Sequence, residues 1–185
     1  MKRAYIILAQ GFEEVEAITP IDYLRRAGVD VTVVALDSLQ VVSARSLIVT
    51  ADALLADVLT QNHPDLIVLP GGIKGSRAIA ASEPVRRLVR EMAREGKLIA
   101  AICASPAVAL YPWGLLEGKT WTCYPGEEEA LGVRVSESRV VVDGKIITSR
   151  GPGTAGEFSL ALVEALEGKD VAHQLARGTV TNAHP

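Results

Sequence analysis

An uninterrupted apolar run ends abruptly on a cysteine near the middle of the chain. The segment 98–102 contains five consecutive apolar residues and is followed by Cys103 and, three positions later, by Pro106. Such a run is typical of a central strand in a parallel sheet, which is covered on both faces. Proline suits the first turn of a helix, where its missing N–H costs little. The sequence therefore predicts a strand, a sharp turn and a helix, which is the layout of a nucleophile elbow.

A cysteine at such a turn is a candidate nucleophile. The amino end of the following helix would lower the pKa of the thiol and offer backbone N–H groups to a developing oxyanion. The alternative is a buried structural cysteine, because free cysteine is among the most buried residue types. The strand–turn–helix context favours the reactive interpretation of Cys103.

Length and composition indicate one α/β domain. The chain has 185 residues, enough for one sizeable core and short for two, so we expect a single domain across residues 1–185. Hydrophobic residues make up 49% of the chain and aromatic residues only 4%, which predicts a largely aliphatic core. The polar, unpatterned end over 176–185 is expected to fray.

Charge and cysteine content argue against several functional classes. A net charge of −3 provides no basic stripe for nucleic acid. Cys103 and Cys123 stand twenty positions apart and form neither a disulfide framework nor a zinc motif. We therefore expect a reducing, cytoplasmic location and neither a metal nor a cofactor.

Two apolar stretches resemble export or membrane signals only superficially. The apolar stretch after the basic start is too short for a signal peptide and is followed closely by the acidic cluster at 13–16. The segment 98–116 lacks charged residues, but Pro106, Pro112 and Gly114 interrupt it. We expect no membrane segment.

Strand and helix signals alternate along the chain, which predicts βαβ units and a mainly parallel sheet. Asp143-Gly144 lies between two apolar runs and predicts a tight hairpin, and a smaller hairpin is predicted from 41–42 and 47–49. The strands predicted for the main sheet are 4–8, 31–36, 66–69, 98–102, 120–123, 139–142 and 145–149.

Three segments have helical periodicity, at 14–27, 85–93 and 158–166. Ser82 and Gly96 are the expected caps of the second helix, and the sequence TAGE at 154–157 has the form of a capping box for the third. In the first helix, the candidate core contacts are Val15, Ile18, Ile21 and Leu24.

Pro20 lies inside the first predicted helix and removes the hydrogen bond to the carbonyl of Glu16, which predicts a kink in the first turn. Glu16 would then lie beyond the carboxyl end of the first strand, where open α/β sheets bind ligands. The alternative is a solvated acid that complements the helix dipole. Gly71-Gly72 follows another predicted strand. The pair is either an ordinary turn or a place where the backbone closely approaches a ligand.

Four segments resemble a known family over nearly the whole chain. They are GFEEVE at 11–16, LPGG at 69–72, AICA at 101–104 and TSRGPGT at 148–154. In this order they resemble the ThiJ/PfpI superfamily, and within it the branch of the Parkinson-disease protein "DJ-one" and its bacterial relatives. The resemblance implies a flavodoxin-like three-layer sandwich, usually a homodimer.

The resemblance also implies a set of site residues. Cys103 would be a low-pKa nucleophile beside a protonated Glu16, and the oxyanion pocket would fall on the backbone of Gly72, next to Gly71, and of Ala104. The residues implied for the pocket wall, from nearby loops or from a partner subunit, are Arg45 and Pro152, and Arg26 would contact the second subunit of a dimer.

One position departs from the branch. Many members have a histidine near the cysteine, whereas this chain has Tyr124 there. We interpret His63, His173 and His184 as solvated surface residues. A Cys–His dyad would lack its base, so peptidase activity is not expected.

These residues lead to two functional hypotheses. In the first, Cys103 attacks methylglyoxal, glyoxal or their early adducts, Glu16 supplies acid–base catalysis, and hydrolysis gives lactate or glycolate. This is the glutathione-independent glyoxalase or deglycase activity reported for the family. In the second, the chain is a redox sensor or redox-switched chaperone of the oxidative-stress response, controlled by oxidation of Cys103. Cys123 would then be either a resolving thiol or, on the alternative interpretation, a buried residue at a strand end. A binding module without catalysis is a third class, but the sequence has no phosphate-loop motif.

Overall fold

The structure is a computed structural model that describes residues 1–181. Its strands are β1 (Arg3–Leu8), β2 (Asp30–Ala35), β3 (Gln40–Val42), β4 (Ile48–Thr50), β5 (Ala53–Leu54), β6 (Leu66–Leu69), β7 (Leu98–Ile102), β8 (Val140–Asp143) and β9 (Ile146–Ser149). Its α-helices are α1 (Glu14–Arg26), α2 (Leu55–Val58), α3 (Ile73–Ala81), α4 (Glu83–Arg94), α5 (Ala155–Glu167) and α6 (Lys169–Gly178).

Seven strands form the central sheet in the order β5-β2-β1-β6-β7-β9-β8. All neighbouring strands run parallel except the β8–β9 hairpin. Its two-residue loop is Gly144-Lys145, one position later than predicted, because Asp143 is the last residue of β8 and pairs with Ile146. Strands β3 and β4 form the small antiparallel hairpin outside this sheet. The mainly parallel α/β sandwich that the sequence predicts is confirmed.

The sheet divides the core into two layers. Alternate residues of a strand point to opposite faces, so Ile6 and Leu8 join one apolar cluster and Tyr5 and Ile7 join the other. The first cluster includes the buried faces of α1, α5 and α6, and the second includes those of α2 and α4. Because helices cover both faces, β6 and β7 are buried at every residue, which explains their unbroken apolar runs.

The segment 120–123, predicted as a strand, is not part of a sheet. The Thr122 N–H donates to the side-chain hydroxyl of Thr148 at 3.0 Å, and the Trp121 carbonyl accepts from Ser136. These two bonds replace the regular strand-to-strand hydrogen bonds that a strand beside β9 would form. The apolar pattern of this segment therefore reflects burial and not strand pairing.

Two local predictions about helices were wrong, namely that Val15 and Ile18 are core contacts of α1 and that TAGE forms a capping box for α5. Val15 and Ile18 are 45% and 42% exposed, because the buried face of α1 is centred on its other apolar residues. The TAGE segment forms no capping box, since the Thr154 hydroxyl bonds within the preceding loop and Glu157 pairs with Arg139 at 2.7 Å.

The expected fraying begins later than predicted. Helix α6 continues to Gly178 because Ala176 is buried against the core, and the Thr181 hydroxyl lies 2.6 Å from that of Tyr23. The rest of the segment predicted to fray, 182–185, and with it His184, lies outside the described residues. None of the helices within residues 1–181 is long and apolar enough to cross a membrane.

Candidate active site

Cys103 stands at a strained turn at the carboxyl end of β7. Its φ is +64°, a conformation that non-glycine residues rarely adopt, so the surrounding hydrogen bonds must maintain it. Its N–H donates to the Ser149 carbonyl at 2.9 Å, and its carbonyl accepts from the Tyr124 N–H at 2.8 Å. The elbow that the sequence predicts is therefore present, with the thiol partly exposed.

A π-helical turn, not the regular helix that was predicted, follows the elbow. It covers Pro106–Leu110, and the Tyr111 N–H donates to the Pro106 carbonyl at 2.9 Å, five residues earlier. Proline can begin the turn because it has no N–H to leave unpaired. The N–H groups near the thiol come instead from the elbow itself, at Ala104, and from the β6–α3 loop, at Gly72.

The carboxyl group of Glu16 lies beside the thiol, in the first turn of α1. The side chain is fully buried beside the Cys103 thiol and accepts the Gly71 N–H on Oε2 at 2.8 Å. The other oxygen, Oε1, is also buried and has no hydrogen-bond partner among the described residues. The alternative of a solvated first-turn acid is excluded for Glu16.

Gly71 and Gly72 bring the β6–α3 loop against this pair. A Cβ at Gly71 would overlap Glu16 Oε2 and Cys103 Cβ and lie 3.0 Å from Cys103 Sγ. Gly72 has φ +82°, and a Cβ there would lie 2.6 Å from the Glu13 nitrogen. The glycine pair is therefore where the backbone closely approaches Glu16 and Cys103, and its approach to a ligand stays a prediction.

Ser105 supports the elbow from behind and was not identified as a site residue by the sequence analysis. Its buried hydroxyl donates to the Pro70 carbonyl and lies 2.9 Å from the Ser76 hydroxyl. These bonds join the turn after β7 to the loop after β6, which carries Gly71. The sequence around Ser105 does not reveal this role, because the residues to which it bonds lie about thirty positions away.

A cavity of about 660 Å³ opens above the pair. Of the predicted site residues, the lining includes Glu16, Arg45, Gly72, Cys103, Ala104, Tyr124 and Pro152, while Gly71 contacts the pair without lining the cavity. Charged residues of the lining that the sequence analysis did not select are Glu13, Lys74 and Glu127. Glu13 and Lys74 adjoin recognisable motifs, whereas nothing in the sequence around Glu127 marks it.

Burial dominates the acid–base properties of the pair. It raises the pKa of Glu16 to about 7, so this carboxyl group holds its proton well above the usual range for an acid. Burial, followed by the charge of the Glu16 carboxylate, raises the pKa of the Cys103 thiol to about 12, although the N–H groups of Gly72 and Ala104 oppose the rise. The backbone donors thus act in the direction predicted from the elbow, whereas burial and the Glu16 carboxylate act against it, and the low thiol pKa stays a prediction. The two groups titrate as a unit.

The second cysteine faces the other core layer, although its neighbour Tyr124 is hydrogen-bonded to the Cys103 carbonyl. Cys103 packs against the core layer that contains α1 and α5, whereas Cys123 is buried in the layer on the other face of the sheet. The Cys123 thiol lies 3.5 Å from Glu128 Oε2. This placement favours the structural interpretation of Cys123 over a resolving thiol.

Neither histidine within the described residues lines the cavity, as expected from the sequence. His173 is exposed, as predicted. His63 is not freely solvated as expected: its ring lies 3.0 Å from Glu95 and 3.8 Å from Glu91, because the loop before β6 packs against α4. Residues 1–181 also contain no cluster of three histidine, cysteine or acidic side chains arranged to bind a metal.

Comparisons with known proteins agree with this geometry. A profile described as the DJ-1/PfpI family matches residues 2–165. The chain is 45% identical over 187 residues to Protein DJ-1 homolog B of Arabidopsis thaliana, and it spans 42% of the length of that relative. It is 33% identical over 180 residues to the Caenorhabditis elegans protein called glutathione-independent glyoxalase DJR-1.2, with 95% of both chains covered.

The solved structure called "Toxoplasma gondii DJ-1, oxidized" superposes with a TM-score of 0.94 at 37% identity and covers 98% of this chain and 100% of its own. The matched profile spans most of the chain, and the shared fold includes the strands that carry the pair. The chain therefore belongs to the DJ-1/PfpI family.

Proposed function

We propose that this chain is a cysteine-dependent enzyme that removes reactive carbonyls without glutathione, as a glyoxalase or deglycase acting on methylglyoxal, glyoxal or their early adducts. The observation that carries the proposal is the placement of the Cys103 thiol beside the buried Glu16 carboxyl group in the lining of an open cavity. The name of the C. elegans relative supports the same reaction class.

The first step uses the pair as nucleophile and base. As Cys103 Sγ forms a bond to the aldehyde carbon, its proton passes to Glu16 and the carbonyl electrons move onto oxygen. The Gly72 and Ala104 N–H groups, which lie beside Sγ, would donate to that oxygen. Neutral Glu16 then returns the proton, which gives a hemithioacetal. A carboxyl group with a pKa of about 7 suits both directions of this transfer.

The second step moves hydrogen between adjacent carbons of the substrate. Glu16 removes the proton from the hemithioacetal carbon and delivers one to the neighbouring carbonyl carbon, which converts the hemithioacetal into a thioester on Cys103. Water then cleaves the thioester and releases lactate from methylglyoxal, or glycolate from glyoxal. The oxidation of one carbon balances the reduction of the other, so no cofactor enters the scheme.

The test is lactate formation from methylglyoxal without added thiol, using wild type, Cys103→Ser and Glu16→Gln. We expect turnover in the wild type and its loss in both variants. Cys123→Ser is the matched control, because that thiol lies on the other face of the sheet, and it should remain active. No turnover by wild-type protein with Cys103 confirmed as reduced would contradict the proposal.

A second function, redox sensing through Cys103 in the oxidative-stress response, is favoured by one observation. The thiol is partly exposed beside a carboxyl group, and the T. gondii relative was solved in a form described as oxidized. A neutral Glu16 could donate to a sulfinate oxygen. Mass spectrometry after graded peroxide should then show that Glu16→Gln changes how far Cys103 oxidises, whereas oxidation unaffected by this variant would contradict the sensor.

For the assembly, we propose a homodimer formed through the outer face of α1 and the β3–β4 hairpin. Val15 and Ile18 on α1 and Leu47 and Ile48 on the hairpin are exposed apolar residues, a pattern typical of interfaces. Arg26, implied as a dimer contact, pairs with Asp22 at 2.8 Å within α1. Sedimentation should give a dimer for the wild type and a monomer for Val15→Glu/Ile18→Glu, whereas a monomeric wild type would rule the dimer out.

A further inference from the structure

The cavity above Cys103 is larger than a free three-carbon aldehyde requires. Its volume of about 660 Å³ lies within the range of pockets that enclose ligands of drug size, roughly 300–1,000 Å³. Once the reacting carbonyl lies against Cys103 and Glu16, space remains toward the mouth. The side chains around that space therefore determine which substituents a substrate can carry.

Lys74 is a charged residue of the cavity lining that takes no part in the proposed mechanism. It lies in the first turn of α3, two positions after Gly72, whose N–H faces the thiol. Its aliphatic stem runs along the β1–α1 loop: a Cβ on Gly11 would lie 2.9–3.2 Å from the Cβ, Cγ and Cδ of Lys74. The stem is thus held by backbone, while the residue is exposed and lines the cavity.

A second cation lies on the hairpin across the same mouth. Arg45 follows Ala44, whose N–H donates to the Phe12 carbonyl at 2.7 Å, and the Gly11 N–H donates to Val42 at 2.7 Å. The hairpin is therefore fixed to the loop that supports Lys74. Among residues 1–181, neither Lys74 nor Arg45 forms an ion pair with a carboxylate of the chain.

The carboxylates of the cavity favour a particular orientation of substrate. Glu13 is close enough to Glu16 for its charge to act on that group, so an anion at the inner end would be repelled. Glu127 lies beyond Tyr124, in a different loop from Lys74 and Arg45. An anionic substituent is best accommodated when the neutral carbonyl points inward and the charge lies toward Lys74.

We propose that Lys74, together with Arg45, recognises a carboxylate or phosphate group on the substrate, so that the preferred substrates are anionic α-oxo aldehydes or anionic adducts of such aldehydes. This inference rests on the proposed function, because it names the substrate class of the same site. Lys74 is a specificity residue and takes no part in bond formation.

The first test uses two thiols that differ by a single charge. Methylglyoxal forms hemithioacetals with N-acetylcysteine, which carries a carboxylate, and with N-acetylcysteine amide, which is neutral. Each adduct plus water gives lactate and the free thiol. We expect the kcat/KM ratio of carboxylate over amide to favour the carboxylate by about threefold to fivefold, the size of an exposed ion pair. Added salt should lower this ratio.

Variants of Lys74 and a matched control then test whether the preference for the carboxylate adduct comes from Lys74. Lys74→Met keeps the stem on Gly11 and should bring the ratio close to one, Lys74→Glu should invert it, and Lys74→Arg should retain it. Arg77→Met removes a positive charge from an exposed position of the same helix outside the cavity lining and should leave the ratio unchanged. A wild-type ratio of one, or a ratio that survives Lys74→Met, would overturn the proposal.

A second probe does not depend on turnover. Iodoacetate and iodoacetamide alkylate Cys103 with loss of iodide and differ only in charge, and their rates are normalised to those of a free thiol. The iodoacetate preference should fall in Lys74→Met and stay unchanged in Arg77→Met. If methylglyoxal gave no lactate while Lys74→Met lowered this preference, the glyoxalase proposal would fail and anion recognition would stand. Equal preferences in wild type and Lys74→Met would reject anion recognition itself.

Discussion

The carboxyl group of Glu16 is held between the Cys103 thiol and the Gly71 N–H, which reaches Glu16 Oε2 at 2.8 Å. Three segments, the first turn of α1, the loop after β6 and the elbow after β7, therefore meet at this pair of side chains. Since each approaches the others through backbone or a buried side chain, small changes in any of them alter the distance between the reacting groups.

Replacing Gly71 by alanine should reduce turnover without unfolding the protein. Its Cβ would overlap both members of the pair, which must move apart. Because displacement of about 1 Å can cost about 100-fold in rate, we expect a loss of that order in kcat/KM for methylglyoxal. Circular dichroism checks the fold, and Gly178→Ala, where an added Cβ meets no atom within 4 Å, is the control. Unchanged kinetics in Gly71→Ala would show that the close approach is dispensable.

The reactivity of Cys103 should rise with pH through about 7. Below that value, Glu16 is protonated and the pair holds two protons; above it, the Glu16 carboxylate can accept the thiol proton as sulfur attacks. We expect the rate of alkylation by iodoacetamide, followed by mass spectrometry, to show an inflection near pH 7. The inflection should be absent in Glu16→Gln, and its persistence there would assign it to another group.

The stability of the fold should depend on the same carboxyl group. The pKa of Glu16 is about 7 when folded, against 4.5 as the ordinary value, so the unfolded chain releases this proton first as pH rises. The free energy of unfolding is therefore expected to fall by about 3 kcal/mol between those pH values through this group alone. Relative to wild type, Glu16→Gln should gain stability between pH 5 and pH 8.

Urea unfolding at both pH values measures this difference. Glu164→Gln, at an exposed position of α5, is the control and should follow the wild type at each pH. A Glu16→Gln variant whose stability relative to wild type is the same at pH 5 and pH 8 would contradict the raised pKa.

Ser105→Ala should weaken the contact between the elbow and the loop after β6. The substitution leaves the Pro70 carbonyl and the Ser76 hydroxyl without this buried partner. Removing such a partner costs about 1–3 kcal/mol, which chemical denaturation can measure. A double-mutant cycle with Ser76→Ala isolates the hydroxyl pair, and strictly additive effects would show that the two residues act independently.

Peroxide should not produce an internal disulfide in the folded protein. The backbones of the two residues are close, since the Tyr124 N–H donates to the Cys103 carbonyl, but the two side chains pack in core layers on opposite faces of the sheet, so we expect the sulfurs to point apart. Non-reducing peptide mapping of oxidised native protein should show oxidised Cys103 and an unlinked Cys123. A Cys103–Cys123 peptide from native protein would disprove this.

The sequence by itself determined the features that local chemistry encodes. A strand buried on both faces must be apolar throughout, so β7 and its abrupt end on Cys103 were predictable. Gly144, with φ +61°, marked the β8–β9 hairpin to within one position, because glycine adopts the positive φ that such a two-residue turn requires. The glycines at 71–72 marked a close backbone approach for the same kind of reason.

Tertiary structure alone decided the properties that depend on residues distant in the sequence. The direction of the Cys103 pKa shift follows from burial and from Glu16, 87 positions earlier, and not from the elbow alone. The support from Ser105, the position of Lys74 at the cavity mouth and the separation of Cys123 from Cys103 likewise arise when distant loops and layers pack together. Local patterns determine which elements form, whereas packing determines which side chains share a dielectric environment, and the chemistry of the pair depends on that environment.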